Sequence, residues 1–374
     1  FVPMAPKRTK TRLRALLISA YDAGSHKRWR TELCEQLSEI EWTVVALPPR
    51  FFSWRFRGNA LTLSTIYKEQ LEQSYDLIVV TSMTDLSTLK GLLPTLASIP
   101  TIAYFHENQF AYPIQHEVVQ REVFHFCMLN LYTAIAADFV LFNSEYNRQS
   151  MLSGVEKLLK KMPDLVPKGI AAKIAEKSAV LPVPLADSLY AQRDLNHPPN
   201  HVLWNHRWEY DKAPEIFFDA LGHLQARGLS FKLSVLGQRF RSAPECFKHA
   251  RERFQSEIVD WGYVDSKAKY YEVLKQADLV VSSARHEFQG IALLEAVASG
   301  CRALAPNRLA YPSYLPSDSL YSSTPEAPET EALALASAIE STLSTPPPPI
   351  ALNSLRWSIL RQQYLELFFQ HASA

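Results

Sequence analysis

The chain has 374 residues, a formal net charge of +1 and 47% hydrophobic residues. This length suits two domains, and the near-neutral charge excludes bulk attraction to nucleic acid, so any RNA contact must rest on a local patch. No apolar run reaches the ~20 residues of a transmembrane helix, and the four cysteines are widely spaced without a zinc pattern. We therefore expect a cytoplasmic protein with reduced cysteines, no membrane span and no secretory signal.

From residue 14 onward, short runs rich in Val, Ile and Leu alternate with amphipathic segments. This alternation is typical of a parallel sheet with helices on both faces. In the first half it predicts strands at 15–20, 42–47, 77–81, 101–105 and 139–143, and helices at 26–38, 85–97, 117–136 and 145–159.

A second series with the same plan follows the proline-containing segments 181–185 and 196–200. Its predicted strands are 201–205, 231–236, 257–263, 278–283 and 301–306, and its predicted helices are 213–227, 244–254, 266–276, 291–299 and 328–343. Four prolines at 346–349 then form a stiff linker to an amphipathic helix at 351–369.

We therefore predict two doubly wound, parallel-sheet α/β domains that face each other across a cleft. The first comprises residues 12–186 with the returning terminal helix 351–370, and the second comprises residues 187–345. Ligands of such domains lie at the carboxyl ends of the strands. Neither first turn carries G-x-G-x-x-G, and G-x-x-x-x-G-K-[ST] is absent, which disfavours a dinucleotide-dependent oxidoreductase and a P-loop enzyme.

The stretch 282–300, SSARHEFQGIALLEAVASG, combines a strand end, a loop and a helix. Glu295 is the only charged residue of that helix, and burying it is costly unless something satisfies it. A second carboxylate, Glu287, lies at the mouth of the helix. The residues between them that start the helix are Gln289, Gly290 and Ile291. Backbone N–H groups at a positive helix end bind phosphate, so this stretch suits a ligand that is part diphosphate and part polyol, a sugar nucleotide.

Two cations, Arg207 and Lys212, follow the first strand of the second half, where they can clamp a diphosphate leaving group. The alternative is a solvated charged face, although the neighbouring residues Trp204, Trp208 and Tyr210 indicate partial burial. Gly237 ends the next strand, where a small residue would admit a nucleobase or ribose.

In the first half, the turn around Gly24 would let the backbone approach a phosphate or a reacting sugar. The alternative is an ordinary strand–helix turn capped by Ser25. His106 ends the fourth strand and is followed by Glu107, but position 110 is Phe, so the zinc-protease pattern H-E-x-x-H fails. His106 either hydrogen-bonds a sugar or is a satisfied structural histidine.

Residues 50–58 interleave three arginines with four aromatic residues, and we interpret them as a loop after the second strand. Arginine binds phosphate and stacks on bases, and aromatic rings also stack on bases. The alternative is a loop packed against the core through cation–π pairs.

Taken together, the pattern Glu287-x7-Glu295, the cations Arg207 and Lys212, His106 and the Gly24 turn resemble the retaining glycosyltransferases of family 4, which have the two-domain GT-B fold. Four segments, SAYDAGSHKRW, LPPRFFSWRFRGNA, YFHENQFAYP and FNSEYNRQSML, are similar to the tRNA-queuosine mannosyltransferase group. Those enzymes attach mannose from GDP-mannose to queuosine in tRNA-Asp. One departure is Ala23, where the first of two glycines is expected.

The resemblance implies that Arg207 and Lys212 neutralise the GDP phosphates, that Glu295 holds the ribose and Glu287 the mannose hydroxyls, and that His106 contacts the sugar near its reacting carbon. It implies no metal and no other cofactor, with retention through front-face attack beside the leaving phosphate. The implied catalytic residues are His106, Glu287, Arg207 and Lys212. The implied donor-binding residues are Gly24, Arg207, Lys212, Gly237, Glu287, Phe288, Gln289, Gly290, Ile291 and Glu295. The acceptor-binding residues that we assign are Ser25, His26, Arg50, Trp54, Arg55, Arg57, Asn108 and Asn143.

Two alternatives remain open from the sequence. One is a family 4 glycosyltransferase with a lipid or small-glycan acceptor, although no basic amphipathic surface helix is evident. The other is a catalytically silent protein that binds a nucleotide sugar or RNA, which the joint presence of Glu287, Glu295, Arg207 and Lys212 disfavours.

Overall fold

A computed structural model describes residues 12–112, 120–190, 198–239 and 243–372. The chain forms two compact units, one up to Pro182 together with Leu360–Ala374, and the other Val183–Ile359. The second unit thus extends beyond residue 345, the predicted end of the second domain. No helix within the described ranges combines the length and the apolar character needed to cross a membrane.

The first unit contains a six-stranded parallel sheet over the described residues, in the order β2-β1-β3-β4-β5-β6. Its strands are β1 (Leu13–Ser19), β2 (Ile40–Ala46), β3 (Leu77–Thr81), β4 (Thr101–Phe105), β5 (Phe139–Phe142) and β6 (Ser178–Val180). Its helices are α1 (Gly24–Gln36), α2 (Phe52–Ile66), α3 (Lys68–Leu71), α4 (Leu86–Leu92), α5 (Gln120–Ala136), α6 (Glu145–Leu159) and α7 (Ile170–Glu176).

The second unit repeats this plan, with described strands in the order β12-β11-β10-β7-β8-β9. Its strands are β7 (His201–Asn205), β8 (Lys232–Leu236), β9 (Ile258–Gly262), β10 (Leu279–Val281), β11 (Arg302–Pro306) and β12 (Leu320–Tyr321). Its helices are α8 (Pro214–Ala226), α9 (Cys246–Arg253), α10 (Lys267–Gln276), α11 (Ile291–Ala298) and α12 (Pro328–Ser344). The terminal helix α13 (Trp357–His371) belongs to the first unit from Leu360 onward. The predicted class, two parallel-sheet α/β domains, is confirmed.

The central strands are the most buried elements because both faces of each sheet carry helices. Every residue of β3, β4 and β7 is buried, which explains why their sequences are nearly continuous apolar runs. The short strands β6 and β12 were not predicted, since two or three residues carry no periodic signal. The start of the predicted helix 117–136 lies outside the described residues.

Residues 52–66 form helix α2, so the interpretation of residues 50–58 as a loop is wrong beyond Phe51. Phe56, Ala60 and Leu63 recur at helical spacing and are each at most 2% exposed. Aromatic residues have modest helix propensity, and burial of this apolar stripe outweighs it.

Helix α13 packs within the first unit through Tyr364, which is fully buried. The Trp29 indole N–H donates to the Tyr364 hydroxyl over 3.1 Å, and that hydroxyl donates to the Pro182 carbonyl over 3.0 Å. It also lies 3.2 Å from the Tyr104 hydroxyl. The last turns of the chain therefore satisfy polar groups that the first sheet and its helix α1 bury.

We expect Tyr364→Phe to lower the free energy of unfolding by about 1–3 kcal/mol, because it leaves the buried Trp29 N–H and Pro182 carbonyl without this partner. Tyr132→Phe, at a side chain 49% exposed on α5, is the matched control and should change stability by less than about 0.5 kcal/mol. Urea denaturation of both variants measures the difference. Equal midpoints would contradict this role of the Tyr364 hydroxyl.

Candidate active site

The strand orders place polar loops at one edge of each sheet. The chain steps outward from β1 to β2 and then returns to β3, and likewise runs from β7 to β9 before returning to β10. Ligands of doubly wound sheets bind at such points of reversal, beyond the carboxyl ends of the strands. The loops that follow β1, β3 and β4 form the candidate site of the first unit, and those that follow β7 and β10 form that of the second.

Lys212 is the centre of the site in the second unit and is 5% exposed. Its ammonium group donates to the His286 carbonyl over 2.6 Å and lies 3.3 Å from the Glu287 carboxylate and 3.2 Å from the Asp211 carboxylate. The backbone joins the same loops, since the Arg285 N–H donates to the Asp211 carbonyl over 2.8 Å. All three ammonium protons thus have an acceptor.

Lys212 and Glu287 stay ionised although burial disfavours the charged form of each. Burial would raise the pKa of Glu287, but Lys212 and two nearby histidines outweigh it and lower that pKa to about 2. Burial would lower the pKa of Lys212, whereas the Glu287 and Asp211 carboxylates raise it. Breaking a buried pair of this kind by removing one partner leaves an uncompensated charge.

Glu287 also occupies the N-terminus of α11. Its carboxylate accepts the Phe288 N–H over 3.1 Å and a bond from the Gly290 N–H. Gly290 caps the helix with φ of 81°, and a Cβ there would lie 2.9 Å from the Tyr311 ring, so glycine is required. Glu287 itself therefore occupies part of the phosphate-binding site that we predicted at the N-terminus of this helix.

The two cations that we predicted to bind the diphosphate, Arg207 and Lys212, differ in exposure and in their partners. Arg207 is exposed and pairs with Glu209 over 3.1 Å, so its guanidinium is accessible to a ligand. Lys212 is saturated by protein acceptors in this arrangement. Trp204 and Trp208 are buried as expected from the sequence, but Tyr210 is 58% exposed.

Glu295 is 3% exposed and accepts the Tyr270 hydroxyl proton over 3.2 Å. Tyr270 in turn accepts the Asn205 side-chain N–H over 3.1 Å, and Asn205 also donates to the Ala292 carbonyl. These hydrogen bonds explain how the otherwise apolar helix α11 accommodates the buried Glu295 carboxylate. Sequence reasoning missed Asn205 and Tyr270, and the only available signal was the position of Asn205 at the end of β7.

The remaining donor residues predicted near α11 are packed into the second unit. The Gln289 side chain exchanges two hydrogen bonds with the Val183 backbone, at 2.9 and 3.0 Å. The Phe288 ring is 4% exposed and meets His286 edge-on. A direct contact of either side chain with a donor stays a prediction, and so does one through the backbone of Ile291.

Gly237 has φ of 147°, and a Cβ there would lie 1.8 Å from the His206 carbonyl oxygen. Close backbone packing therefore requires glycine here, independently of any nucleobase. His206, which sequence reasoning also missed, is 4% exposed, and its Nε2 atom has no hydrogen-bond partner among the described residues. Burial, with the nearby Lys212 charge, lowers the pKa of His206 to about 4, so the ring is neutral.

The site of the first unit contains a His26–Glu107 pair, in which His26 is buried and Glu107 is half-buried. The His26 Nε2 atom lies 2.9 Å from the Glu107 carboxylate, and its Nδ1 atom lies 3.1 Å from the Tyr21 carbonyl oxygen. The second Glu107 oxygen accepts the Ser82 hydroxyl proton over 2.7 Å. His26 was predicted to contact the acceptor, but both its ring nitrogens are engaged within the protein.

His106 lies beside this pair and is 6% exposed. Its ring stacks on His26 with centroids 4.4 Å apart, and the Trp29 ring meets it edge-on at 4.8 Å. Its Nε2 atom has no hydrogen-bond partner in the described part of the chain. Burial, with the charge of His26, keeps the pKa of His106 well below its ordinary value. The alternative of a satisfied structural histidine is therefore not supported.

Asn108 and Asn143 were predicted to bind the acceptor, but the structure gives both amides a structural role. The Asn108 N–H groups donate to the Asn147 carbonyl, the Asn147 side chain and the Ser150 hydroxyl at 2.8–3.1 Å. Asn143 donates to the His106 carbonyl over 2.8 Å and accepts from Asn147 over 2.9 Å. Both are at most 3% exposed, and these hydrogen bonds fix the loop that carries His106. A contact of either amide with the acceptor stays a prediction.

The turn after β1 needs no glycine at position 23, because Ala23 has ordinary extended backbone angles. Gly24 is exposed at the first turn of α1, and no atom lies within 4 Å of where its Cβ would be. Ser25 is exposed and does not cap the helix, which excludes the alternative of a Ser25-capped turn. Contacts of Gly24 and Ser25 with a ligand stay predictions.

The start of α2 carries an aromatic and basic surface, which we call the α2 surface: Arg50, Phe51, Trp54 and Arg57, which are exposed, and Arg55, which is half-buried. Phe51 is 72% and Trp54 52% exposed, and Phe51 has the left-handed φ of 56° that is costly for an aromatic residue. The Trp54 ring lies against Gly58, where a Cβ would come within 2.7 Å of it. The alternative interpretation holds in part, since the Arg50 guanidinium lies 5.9 Å from the Phe51 ring and the Phe52 and Phe56 rings pack on Phe126 at 5.5 and 4.4 Å. Phe51 and Trp54 remain exposed.

Comparison with known proteins decides the family. Residues 14–185 match the family described as tRNA-queuosine alpha-mannosyltransferase N-terminal, and residues 199–344 match Glycosyl transferases group 1. A tRNA-queuosine alpha-mannosyltransferase of Drosophila melanogaster is 35% identical over 319 residues, which cover 83% of each chain. The chain belongs to the tRNA-queuosine alpha-mannosyltransferase family. It is a glycosyltransferase, as the sequence resemblance implied.

Solved structures show the same fold. Anabaena HepE in complex with UDP has a TM-score of 0.65 at 15% identity, and the match covers 96% of this chain and 100% of that one. Sucrose-phosphate synthase from Thermosynechococcus elongatus has a TM-score of 0.69 at 15% identity, covering 96% and 99%. The predicted GT-B fold is confirmed. Among the residues described in the structure, no group of three or more His, Cys, Asp or Glu side chains could hold a metal ion, and metal independence stays a prediction.

We expect Glu287→Gln to lower the free energy of unfolding at pH 7 by about 3 kcal/mol, since the buried Lys212 ammonium loses one of its two half-buried counter-charges. The pKa of Glu287 is lowered in the folded chain, so its contribution is present above the ordinary carboxyl pKa and is lost as pH falls towards about 2. The stability difference from the unaltered protein should therefore shrink between pH 6 and pH 3, on a scale set by these two pKa values.

Chemical denaturation at several pH values measures this difference. Glu252→Gln, at an exposed position of α9, serves as the control and should show no such convergence. A constant difference for Glu287→Gln across the whole range would contradict the buried ion pair.

Proposed function

We propose that this glycosyltransferase transfers mannose from GDP-mannose to the queuosine nucleoside of tRNA-Asp, with retention of configuration and without a metal. The observation that carries the proposal is the match of residues 14–185 to the N-terminal part of the tRNA-queuosine alpha-mannosyltransferase family. That segment contains the α2 surface and the His26–Glu107 pair. The matched relative from Drosophila melanogaster is named for the same activity.

In this proposal the second unit binds the donor. Arg207, which is exposed, and the N-terminus of α11 neutralise the departing diphosphate. Glu295 accepts hydrogen bonds from the ribose and Glu287 from the mannose, and Lys212 holds Glu287 ionised for that purpose. Anabaena HepE was solved with UDP and glucose, which supports a nucleotide-sugar site in this fold but not the choice of GDP-mannose.

The first unit contributes the neutral His106 ring and the acceptor-binding α2 surface. The Nε2 atom of His106 hydrogen-bonds the mannose near its reacting carbon. The acceptor oxygen attacks that carbon from the face of the leaving phosphate, and the phosphate oxygen accepts the proton of the acceptor. The anticodon loop, where queuosine lies, stacks on Trp54 and contacts the arginines, because single-stranded RNA is read in this way.

A transfer assay tests the activity directly. The protein is incubated with GDP-[¹⁴C]mannose or UDP-[¹⁴C]glucose and with tRNA that contains or lacks queuosine, in the presence of EDTA. We expect label only from GDP-mannose and only in queuosine-containing tRNA. Label in a lipid extract or a small glycan would instead support the alternative acceptors, and no transfer to any acceptor would contradict the proposal.

We expect the double substitution Arg55→Ala and Arg57→Ala to weaken tRNA binding. The logarithm of the association constant for tRNA should also fall less steeply with the logarithm of the salt concentration, by about 0.7 per lost phosphate contact. GDP binding should be unchanged, since both residues lie in the first unit. Arg227→Ala with Arg251→Ala, two exposed positions of the second unit, removes the same charge and is the control. A loss of tRNA affinity of equal size in the control would exclude a specific role for the α2 surface.

A further inference from the structure

The His26 ring has two hydrogen-bond partners, and both are oxygen acceptors. Nδ1 lies 3.1 Å from the Tyr21 carbonyl oxygen, and Nε2 lies 2.9 Å from a Glu107 carboxylate oxygen. A carbonyl cannot donate, and an ionised carboxylate cannot donate either. While Glu107 is ionised, both ring nitrogens must therefore carry a proton, which makes His26 an imidazolium cation.

Glu107 is poorly suited to act as the base of the reaction. One of its oxygens accepts from His26 and the other accepts the Ser82 hydroxyl proton over 2.7 Å. Burial would raise its pKa, but the charge of His26 and these hydrogen bonds lower it to about 2. A general base works best when its pKa is near the operating pH. The carboxylate is thus a fixed counter-charge rather than a proton acceptor.

The cation lies directly against His106. The two imidazole rings are stacked with centroids 4.4 Å apart and an interplanar angle of 23°, and Trp29 closes the edge of His106 at 4.8 Å. Two neighbouring rings cannot both carry charge at this distance without a large cost, so the charge on His26 adds to the effect of burial in keeping His106 neutral. The buried and unpartnered Nε2 atom of His106 is then available for one hydrogen bond to a ligand.

We propose that Glu107 is a positioning residue for glycosyl transfer. With the Tyr21 carbonyl it keeps His26 as an imidazolium stacked on His106, and this cation holds His106 in one orientation and adds to the effect of burial that keeps its ring neutral. The proposal rests on the proposed contact of His106 with the sugar.

The charged groups that face the two rings are few among the described residues. Glu107 and, at longer range, Asp22 act on His26, while His26 and Glu107 act on His106. Asp22 is itself held by the Arg30 guanidinium through two bonds of 2.7 and 3.0 Å, so Arg30 offsets much of its charge. Burial would lower the pKa of His26, and Glu107 more than compensates, so the pKa is raised. The cation is present below this raised pKa and is lost as pH rises through it.

The test compares Glu107→Gln, Glu107→Asp and Ser82→Ala in the full chain. Spectra of ¹⁵N-histidine protein, assigned through His26→Gln, report the protonation of His26. We expect an imidazolium at pH 7 in the unaltered protein, in Glu107→Asp and in Ser82→Ala, and a neutral ring in Glu107→Gln. Turnover should fall by roughly tenfold to hundredfold in Glu107→Gln, with GDP affinity unchanged, and Glu107→Asp should recover part of it.

The pH profile separates positioning from mere structural support. Activity of the unaltered protein should decline as pH rises through the pKa of His26, and Glu107→Gln should move this decline to lower pH. A neutral His26 in the unaltered protein, or a Glu107→Gln variant with an unshifted profile, would overturn the proposal. So would a His106→Ala variant with full activity. Absence of transfer by the unaltered protein would contradict the proposed function instead, because the histidine spectra report the charge on His26 without any substrate.

Discussion

The contact between the buried ammonium of Lys212 and the Glu287 carboxylate is the constraint on which the site of the second unit depends. Each ion loses its hydration on folding, which costs several kcal/mol, and good geometry must recover that cost. The loops after β7 and β10 bring Asp211, Glu287 and the His286 carbonyl to one ammonium group. The pair therefore fixes Glu287 at the start of α11 and leaves Arg207 as the accessible cation.

In the first unit a carboxylate is likewise paired with a cation, but the cation is His26 instead of a lysine. A half-buried carboxylate, Glu107, again lies beyond the end of a central strand and holds a positive partner. Each pair lies beside a neutral histidine, His106 or His206. Lysine keeps its charge across the physiological range, whereas histidine titrates within it. The His26–Glu107 pair therefore gives the first unit, which we assign to the acceptor, a charge that can titrate, whereas Lys212 in the second unit keeps its charge.

The sequence was sufficient for features that depend on local periodicity and chain order. Buried strands and the E-x7-E stretch are visible as patterns, and the parallel α/β architecture follows from them. Contacts between distant residues were not visible: Lys212 and Glu287 are 75 positions apart, and His26 and Glu107 are 81 apart. For the same reason Asn108 looked like a ligand contact, because nothing in the sequence shows that Asn147 and Ser150 saturate its amide.

The correction of residues 52–58 from loop to helix changes how the acceptor surface would work. A flexible loop must be ordered on binding, which costs about 0.5–1.5 kcal/mol for each immobilised side chain in addition to the backbone. Helix α2 is anchored through Phe56, Ala60 and Leu63, and Trp54 rests on Gly58 one turn away. Much of the ordering is thus completed during folding, including the strained backbone of Phe51. A surface of only a few arginines and rings can then bind RNA selectively in a protein whose net charge is close to zero.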